Sequence, residues 1–129
     1  TNECLSWLGL YPNPLLVLHI NHANEIDAGL EKSVSQLRSA GVIVLNQAVF
    51  LKGINDSLQA QLKLHRSCFD AGILPYYLHL LDPVKGASHF HAEEPYLLEI
   101  YEQMRARLSG YMLPSLTREI PGDFAKFRY

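Results

Sequence analysis

The segment VIVLNQAVFLKGIND, Val42 to Asp56, gives the clearest indication of the fold. Its first nine residues are apolar except for Asn46 and Gln47 and are rich in β-branched side chains, a composition typical of a buried strand. The residues that follow are of the types found in turns and at helix N-termini, and we expect Asn55 or Asp56 to cap the next helix. The segment therefore predicts a strand that passes through a tight connection into a helix.

The same alternation of strand and helix continues in both directions along the chain. Apolar runs predict further strands at residues 15–20 and 73–81, and a fourth extended segment at residues 111–120. Apolar residues at helical spacing lie between these runs, and each predicted helix ends at a glycine, namely Gly41, Gly72 and Gly110. Strands and helices joined in this way form right-handed parallel βαβ units. We predict an α/β fold, an open half-barrel of parallel βαβ units in which Pro114 favours an edge or rim position for the fourth segment.

Composition narrows the range of functions. The chain has 129 residues, enough for one domain, and a formal net charge of -2 gives no electrostatic reason to expect a nucleic acid or an anionic membrane as partner. No apolar run approaches the ~20 residues of a membrane span, and no signal-peptide pattern is present, so we expect a cytoplasmic protein. Cys4 and Cys68 form no metal-binding motif and are expected to be reduced thiols.

Polar side chains cluster at the predicted carboxyl ends of the strands, where parallel sheets bind their ligands. These residues are His19, Asn21, Gln47, His79, Asp82, Arg118 and Glu119. Several also have a purely structural interpretation. A histidine at a strand end is often only a local hydrogen-bonding group, and an amide inside an apolar strand, such as Asn46 or Gln47, needs a polar partner because an unpaired one is costly. Gly53, Asn55 and Asp56 are more simply a turn than a phosphate-binding loop.

The acidic residues and one lysine leave two interpretations open. Asp82 and Glu119, at adjacent strand ends, could bind a cationic amino group together, since an ammonium donates several hydrogen bonds. They could instead be solvated carboxylates, or Glu119 could pair with an arginine. Lys126, in a predicted loop near the C-terminus, could be an ordinary surface lysine or could form a Schiff base with an aldehyde cofactor.

Five ordered motifs resemble the lysine 2,3-aminomutase family, and most closely its branch associated with elongation factor P. The motifs are HINHANEI at residues 19–26, NQAVFLKGIND at 46–56, PYYLHLLD at 75–82, HF at 89–90 and SGYMLP at 109–114. The resemblance implies a radical enzyme that converts L-α-lysine to β-lysine with a [4Fe-4S] cluster, S-adenosylmethionine and pyridoxal 5′-phosphate. The β-lysine would serve to modify elongation factor P. In such enzymes the cofactors carry the difficult chemistry and the protein orients and shields them.

The resemblance also implies a role for individual residues. Lys126 falls at the position of the lysine that binds pyridoxal phosphate covalently. Asp82 and Glu119 fall where the family binds the distal ammonium of substrate lysine. His19 and Gln47 match positions that contact S-adenosylmethionine.

The sequence departs from the family at the cluster. The chain lacks the CxxxCxxC motif that holds the iron–sulfur cluster, and Ser57 stands where a clostridial type has a zinc-ligand cysteine, so no metal site is expected. The resemblance therefore implies that residues 1–129 are the C-terminal half of the catalytic domain and inactive alone. The expected partners are the N-terminal half of the same enzyme, further copies in a homo-oligomer, and enzymes of the elongation factor P pathway. Two alternatives remain: another amino-acid 2,3-aminomutase, or a degenerate interaction domain without catalytic activity.

Overall fold

The computed structural model describes residues 13–80, 94–119 and 126–128, with Glu119 and residues 126–128 described by their backbone alone. The elements follow one another as β1 (Leu15–Leu18), a 3-10 helix (Ala23–Glu25), α1 (Ala28–Ser39), β2 (Ile43–Val49), α2 (Leu58–Asp70), β3 (Leu74–His79), α3 (Glu94–Arg107), β4 (Ser115–Glu119) and β5 (Lys126–Arg128). Within these residues no helix is both long and apolar enough to cross a membrane.

The strands form one sheet in the order β1-β2-β3-β4-β5. The first four strands run parallel, and β5 runs antiparallel to β4. Each crossover moves to the next strand in the same direction, and because such crossovers are right-handed, α1, α2 and α3 all lie on one face of the sheet. This winding is that of a (β/α) barrel left open, and the prediction of parallel βαβ units is confirmed.

The structure corrects two predictions for the C-terminal part of the chain. The strand β4 lies between β3 and β5, so of the two positions predicted for it, edge or rim, the edge is wrong and the rim stays a prediction. Pro114, which cannot donate to a neighbouring strand, precedes β4 instead of lying within it, and its carbonyl oxygen accepts a hydrogen bond from the Tyr101 hydroxyl at 2.6 Å. Lys126 begins the short strand β5 rather than lying in a loop.

Burial alternates along β2 and so distinguishes the two faces of the sheet. Val44 and Ala48 are buried against the helices, whereas Leu45, Gln47 and Val49 point the other way and are half-buried. The core between sheet and helices is apolar and includes Val34, Val44, Leu64, Cys68, Leu78, Ile100, Met104 and Leu116. Fully burying one such side chain typically contributes about 1.5–3 kcal/mol, so this layer is the main source of stability.

The sheet face opposite the helices is called the open face below. Leu78 is in register with Ala48, and both are fully buried on the helix side. Tyr77 and His79, the neighbours of Leu78 in β3, therefore lie on the open face together with Gln47. One register shift between Asn46 and Gln47 makes this alignment possible, because it skips one residue of β3.

Helix termini show one further difference from prediction. The Ser57 hydroxyl oxygen accepts the hydrogen bond from the Ala60 amide at 3.1 Å, so Ser57, and not Asn55 or Asp56, caps α2. Asp56 instead accepts from the Gly53 amide at 2.9 Å, and Asn55 binds the ends of the strands. The expected glycines follow α1 and α2 with positive φ values of 88° at Gly41 and 86° at Gly72.

Candidate functional site at the carboxyl ends of the strands

The Asn46 side chain of β2 hydrogen-bonds the backbone of Ile20, which follows the neighbouring strand β1. Its Oδ1 accepts from the Ile20 amide at 2.7 Å, and its Nδ2 donates to the Ile20 carbonyl oxygen at 2.9 Å. Asn46 is only 1% exposed, so this reciprocal pair satisfies a polar group that would otherwise be costly inside the core. The structural interpretation of Asn46 is confirmed.

Asn55 ties the same two strand ends together from the following turn. Its Nδ2 donates to the carbonyl oxygens of Asn21 and Val49, both at 2.8 Å, and its Oδ1 accepts from the Leu51 amide at 2.8 Å. Asn21 adds a reciprocal contact, because its Oδ1 accepts from the Val49 amide at 2.9 Å. The segment after β2 is thus a turn fixed by buried amides, as the structural interpretation predicted.

A buried histidine supports this turn from inside helix α2. Gln61 Nε2 donates to the Asn55 carbonyl oxygen at 2.9 Å, and Gln61 Oε1 lies 2.8 Å from His65 Nε2. Because an amide oxygen only accepts, His65 Nε2 carries the proton. Burial lowers the pKa of His65 to about 3, so the ring is neutral near pH 7. Its Nδ1 is buried and has no hydrogen-bond partner in the part of the chain that the structure describes.

A second polar chain crosses three strands on the open face. Thr117 Oγ1 of β4 lies 2.6 Å from His79 Nδ1 of β3, and His79 Nε2 lies 3.3 Å from Gln47 Oε1 of β2. Gln47 and His79 are half-buried, whereas Thr117 is fully buried. Gln47 thus has the polar partner that its position in an apolar strand required.

The two histidines after β1 occupy different environments. His19 is exposed just beyond the end of β1. His22 caps the 3-10 helix: its Nδ1 accepts from the Asn24 amide at 3.0 Å, while the Glu25 carboxylate accepts from the His22 amide at 2.9 Å. His22 is therefore a local hydrogen-bonding group, and the role of His19 stays a prediction.

Three of the predicted site residues lie wholly or partly outside the described residues. Asp82 lies outside them, and so does the motif at residues 89–90. The backbones of Glu119 and Lys126 are described and are directly in register between β4 and β5. This register brings the backbone of Lys126 to the carboxyl end of β4. Gln47 and His79 lie towards the same end of the parallel strands. Convergence of the Asp82 and Lys126 side chains stays a prediction.

Arg118 provides a contact that sequence patterns did not indicate. Its Nη1 lies 3.0 Å from Glu94 Oε1, which connects the start of α3 to β4. The two residues are 24 positions apart, so no local spacing predicts the pair. The side chains are 41% and 35% exposed, and such an ion pair is worth at most about 1 kcal/mol.

The described residues contain no group of three or more histidine, cysteine, aspartate or glutamate side chains that could hold a metal ion. Cys68 is free and fully buried in the core. Burial, with a smaller contribution from the Glu25 charge, raises the pKa of Cys68 to about 12. Cys68 is thus a structural thiol, as expected for a reduced cysteine.

The sequence of this chain is similar to those of known enzymes. The L-lysine 2,3-aminomutase of Escherichia coli K12 is 46% identical over 112 residues, which are 87% of this chain and 33% of that protein. The enzyme of the same name from Haemophilus influenzae is 46% identical over 115 residues, or 89% of this chain and 34% of that protein. The chain is homologous to the lysine 2,3-aminomutases.

The similarity to lysine 2,3-aminomutases extends to more distant members. The L-lysine 2,3-aminomutase of Clostridium subterminale is 32% identical over 126 residues, which are 98% of this chain and 30% of that protein. The chain therefore spans about a third of the length of the lysine 2,3-aminomutases it matches. No protein-family model matches it.

Proposed function

We propose that this chain is the C-terminal part of an L-lysine 2,3-aminomutase, which converts L-α-lysine to β-lysine by moving the amino group from C2 to C3. The observation that carries the proposal is the 46% identity, over 87% of the chain, to the Escherichia coli protein of that name. In the whole protein a [4Fe-4S] cluster, S-adenosylmethionine and pyridoxal 5′-phosphate would supply the radical chemistry.

Lys126 is the proposed anchor for pyridoxal phosphate, and Asp82 and Glu119 are the proposed acceptors for the distal ammonium of the substrate. The backbone register of Glu119 with Lys126 supports this assignment, because it brings an acidic and an amine-bearing residue to the same edge of the sheet. Carboxylates suit this role since an ammonium donates three hydrogen bonds and accepts none.

Gln47 and His19 are the proposed contacts for S-adenosylmethionine. Gln47 is half-buried on the open face at the carboxyl end of β2, and His19 is exposed at the corresponding end of β1. The buried amides of Asn46 and Asn55 hold these two strand ends in a fixed relative position. A ligand that spans both strands would therefore meet a preformed surface.

The described residues do not fit the iron–sulfur cluster. Cluster ligands are thiolates, whereas the Cys68 thiol is buried in the core with a pKa raised to about 12. The cluster is therefore assigned to another part of the whole protein, and this chain alone is expected to be inactive. Exposed apolar residues at the amino end of the open face, Leu15, Ile43 and Leu74, support the idea that further protein covers this face.

We also infer a cytoplasmic location, and the resemblance further implies assembly into a homo-oligomer and use of the product for modification of elongation factor P. The test is anaerobic reconstitution of the whole protein with iron, sulfide and both organic cofactors, assayed for β-lysine. We expect β-lysine from the wild type and from Lys63→Ala, an exposed control on α2, and none from Lys126→Ala. Absence of β-lysine from a cluster-loaded wild type would contradict the proposal. Turnover of arginine or glutamate instead would identify a different 2,3-aminomutase.

A further inference from the structure

We propose that His79 is a positioning residue: with Thr117 it turns the Gln47 amide so that Gln47 presents N–H donors to a hydrogen-bond acceptor of the bound ligand. The inference rests on the proposed function, because it assigns that acceptor to S-adenosylmethionine, which carries carboxylate and hydroxyl oxygens. It concerns His79 and Thr117, which none of the roles described above includes.

The direction of each hydrogen bond follows from the chemistry of the partners. Gln47 Oε1 has no hydrogen to give, so His79 Nε2, 3.3 Å away, must carry the proton. In a neutral imidazole the other nitrogen is then an acceptor, and the Thr117 hydroxyl, 2.6 Å from His79 Nδ1, donates to it. A hydroxyl can donate or accept, but the buried Thr117 hydroxyl makes no other hydrogen bond within the described residues, so its hydrogen is satisfied only by donating to His79 Nδ1. This favours the His79 tautomer with the proton on Nε2, and that tautomer favours the orientation of Gln47 in which the amide oxygen faces His79.

The sheet register keeps these three side chains aligned. His79 is directly in register with Thr117 across β3 and β4. Gln47 is in register with Tyr77, so His79 reaches it along the diagonal on the same face of the sheet. Thr117 is 0% exposed, and water therefore does not compete for its hydroxyl. In this series of hydrogen bonds, Thr117 donates to His79 and His79 donates to Gln47.

The orientation of the Gln47 amide determines which of its atoms is available to a ligand. With its oxygen bound to His79, Gln47 has only its amide nitrogen left for a ligand, and no hydrogen bond within the described residues uses that nitrogen. Without the Thr117 hydroxyl, His79 can adopt the other tautomer, and Gln47 can rotate to present its oxygen. Such a rotation would place the Gln47 oxygen next to an acceptor atom of the ligand, and two acceptors cannot form a hydrogen bond.

The first test uses the 129-residue chain and needs no cofactor. At pH 8, above the ordinary histidine pKa of about 6.5, the ¹⁵N shifts of the ring nitrogens report the tautomer, and a His79→Gln variant assigns the signals. We expect His79 to be protonated at Nε2 in the wild type and in Thr117→Ser, which keeps the hydroxyl. In Thr117→Val, of nearly the same shape, we expect a mixture of tautomers. Protonation at Nδ1 in the wild type, or an unchanged tautomer in Thr117→Val, would overturn the inference.

The second test uses the whole reconstituted protein. We expect Thr117→Val to raise the KM for S-adenosylmethionine about tenfold, the loss typical of one hydrogen bond, with the KM for lysine within about twofold and with Thr117→Ser near the wild type. A rise in the KM for lysine alone would contradict the assignment of the acceptor. If the wild type makes no β-lysine, the proposed function fails, whereas the tautomer measurement still decides the role of His79.

Discussion

The buried amide of Asn55 allows a quantitative test of how the strand ends are held. Asn55→Ala removes three hydrogen bonds of 2.8 Å, to the Asn21 and Val49 carbonyl oxygens and from the Leu51 amide. Each is worth about 1 kcal/mol net, so we expect the free energy of unfolding to fall by about 3 kcal/mol. Asn55 is 0% exposed, so water cannot easily replace the lost partners.

The measurement is urea unfolding of the 129-residue chain, followed by circular dichroism. For a domain of this size the urea dependence is about 1–3 kcal/mol/M, and a 3 kcal/mol loss lowers the midpoint by roughly 1–3 M. Asn55→Asp keeps the shape but turns an oxygen towards the two carbonyls, and we expect at least as large a loss. Asn24→Ala is the matched control, because Asn24 is exposed, and its effect should stay within about 0.5 kcal/mol. A loss below about 1 kcal/mol for Asn55→Ala would refute the reasoning.

The remaining predictions concern the core and one surface contact. The pKa of His65, near 3 in the folded state against about 6.5 unfolded, means that the unfolded chain binds more protons between these values. Stability should therefore fall as pH drops below 6.5, by about 1 kcal/mol between pH 6 and 5, and His65→Leu should remove this slope; an equal slope in the variant would contradict it. In a Cys4→Ser background, the Cys68 pKa of about 12 leaves roughly a thousandfold less thiolate at pH 8 than an ordinary thiol with a pKa of 9.0 would have, so a disulfide reagent should react only after unfolding. Fast labelling of the native chain would show that Cys68 is not buried. Glu94→Gln should cost less than about 1 kcal/mol, measured in 0.1 M salt, because its pair with Arg118 is partly exposed.

Local patterns were sufficient for the order of strands and helices. The β-branched run at residues 42–50 and the glycines that end α1 and α2 act over a few residues, so the sequence alone identifies them. The residue that caps α2 could not be identified from local patterns. Asn55, Asp56 and Ser57 are all good capping residues. Ser57 takes the role because the side-chain oxygens of the other two already accept elsewhere, Asn55 Oδ1 from the Leu51 amide and Asp56 Oδ1 from the Gly53 amide.

The hydrogen bonds between side chains of the site depend on which residues of neighbouring strands lie side by side. The sequence alone did not predict this register. His79 meets Thr117 and Gln47 across 38 and 32 residues of sequence, through a register shift that no spacing rule indicates. The helical spacing of Leu58, Leu62 and His65 indicates one buried face of α2, but it does not indicate the bond between His65 and Gln61. The strand β5 has three residues, too few for a periodic signal.

The most direct test of the central claim is to find which lysine holds pyridoxal phosphate in the whole protein. The lysine amine condenses with the aldehyde of the cofactor with loss of water, and borohydride reduces the resulting C=N bond to a stable link that peptide mapping can locate. We predict that the label falls on Lys126, with none on Lys52 or Lys63. A label on another lysine, with Lys126 unmodified, would contradict the assignment of the active site to the carboxyl ends of the parallel strands.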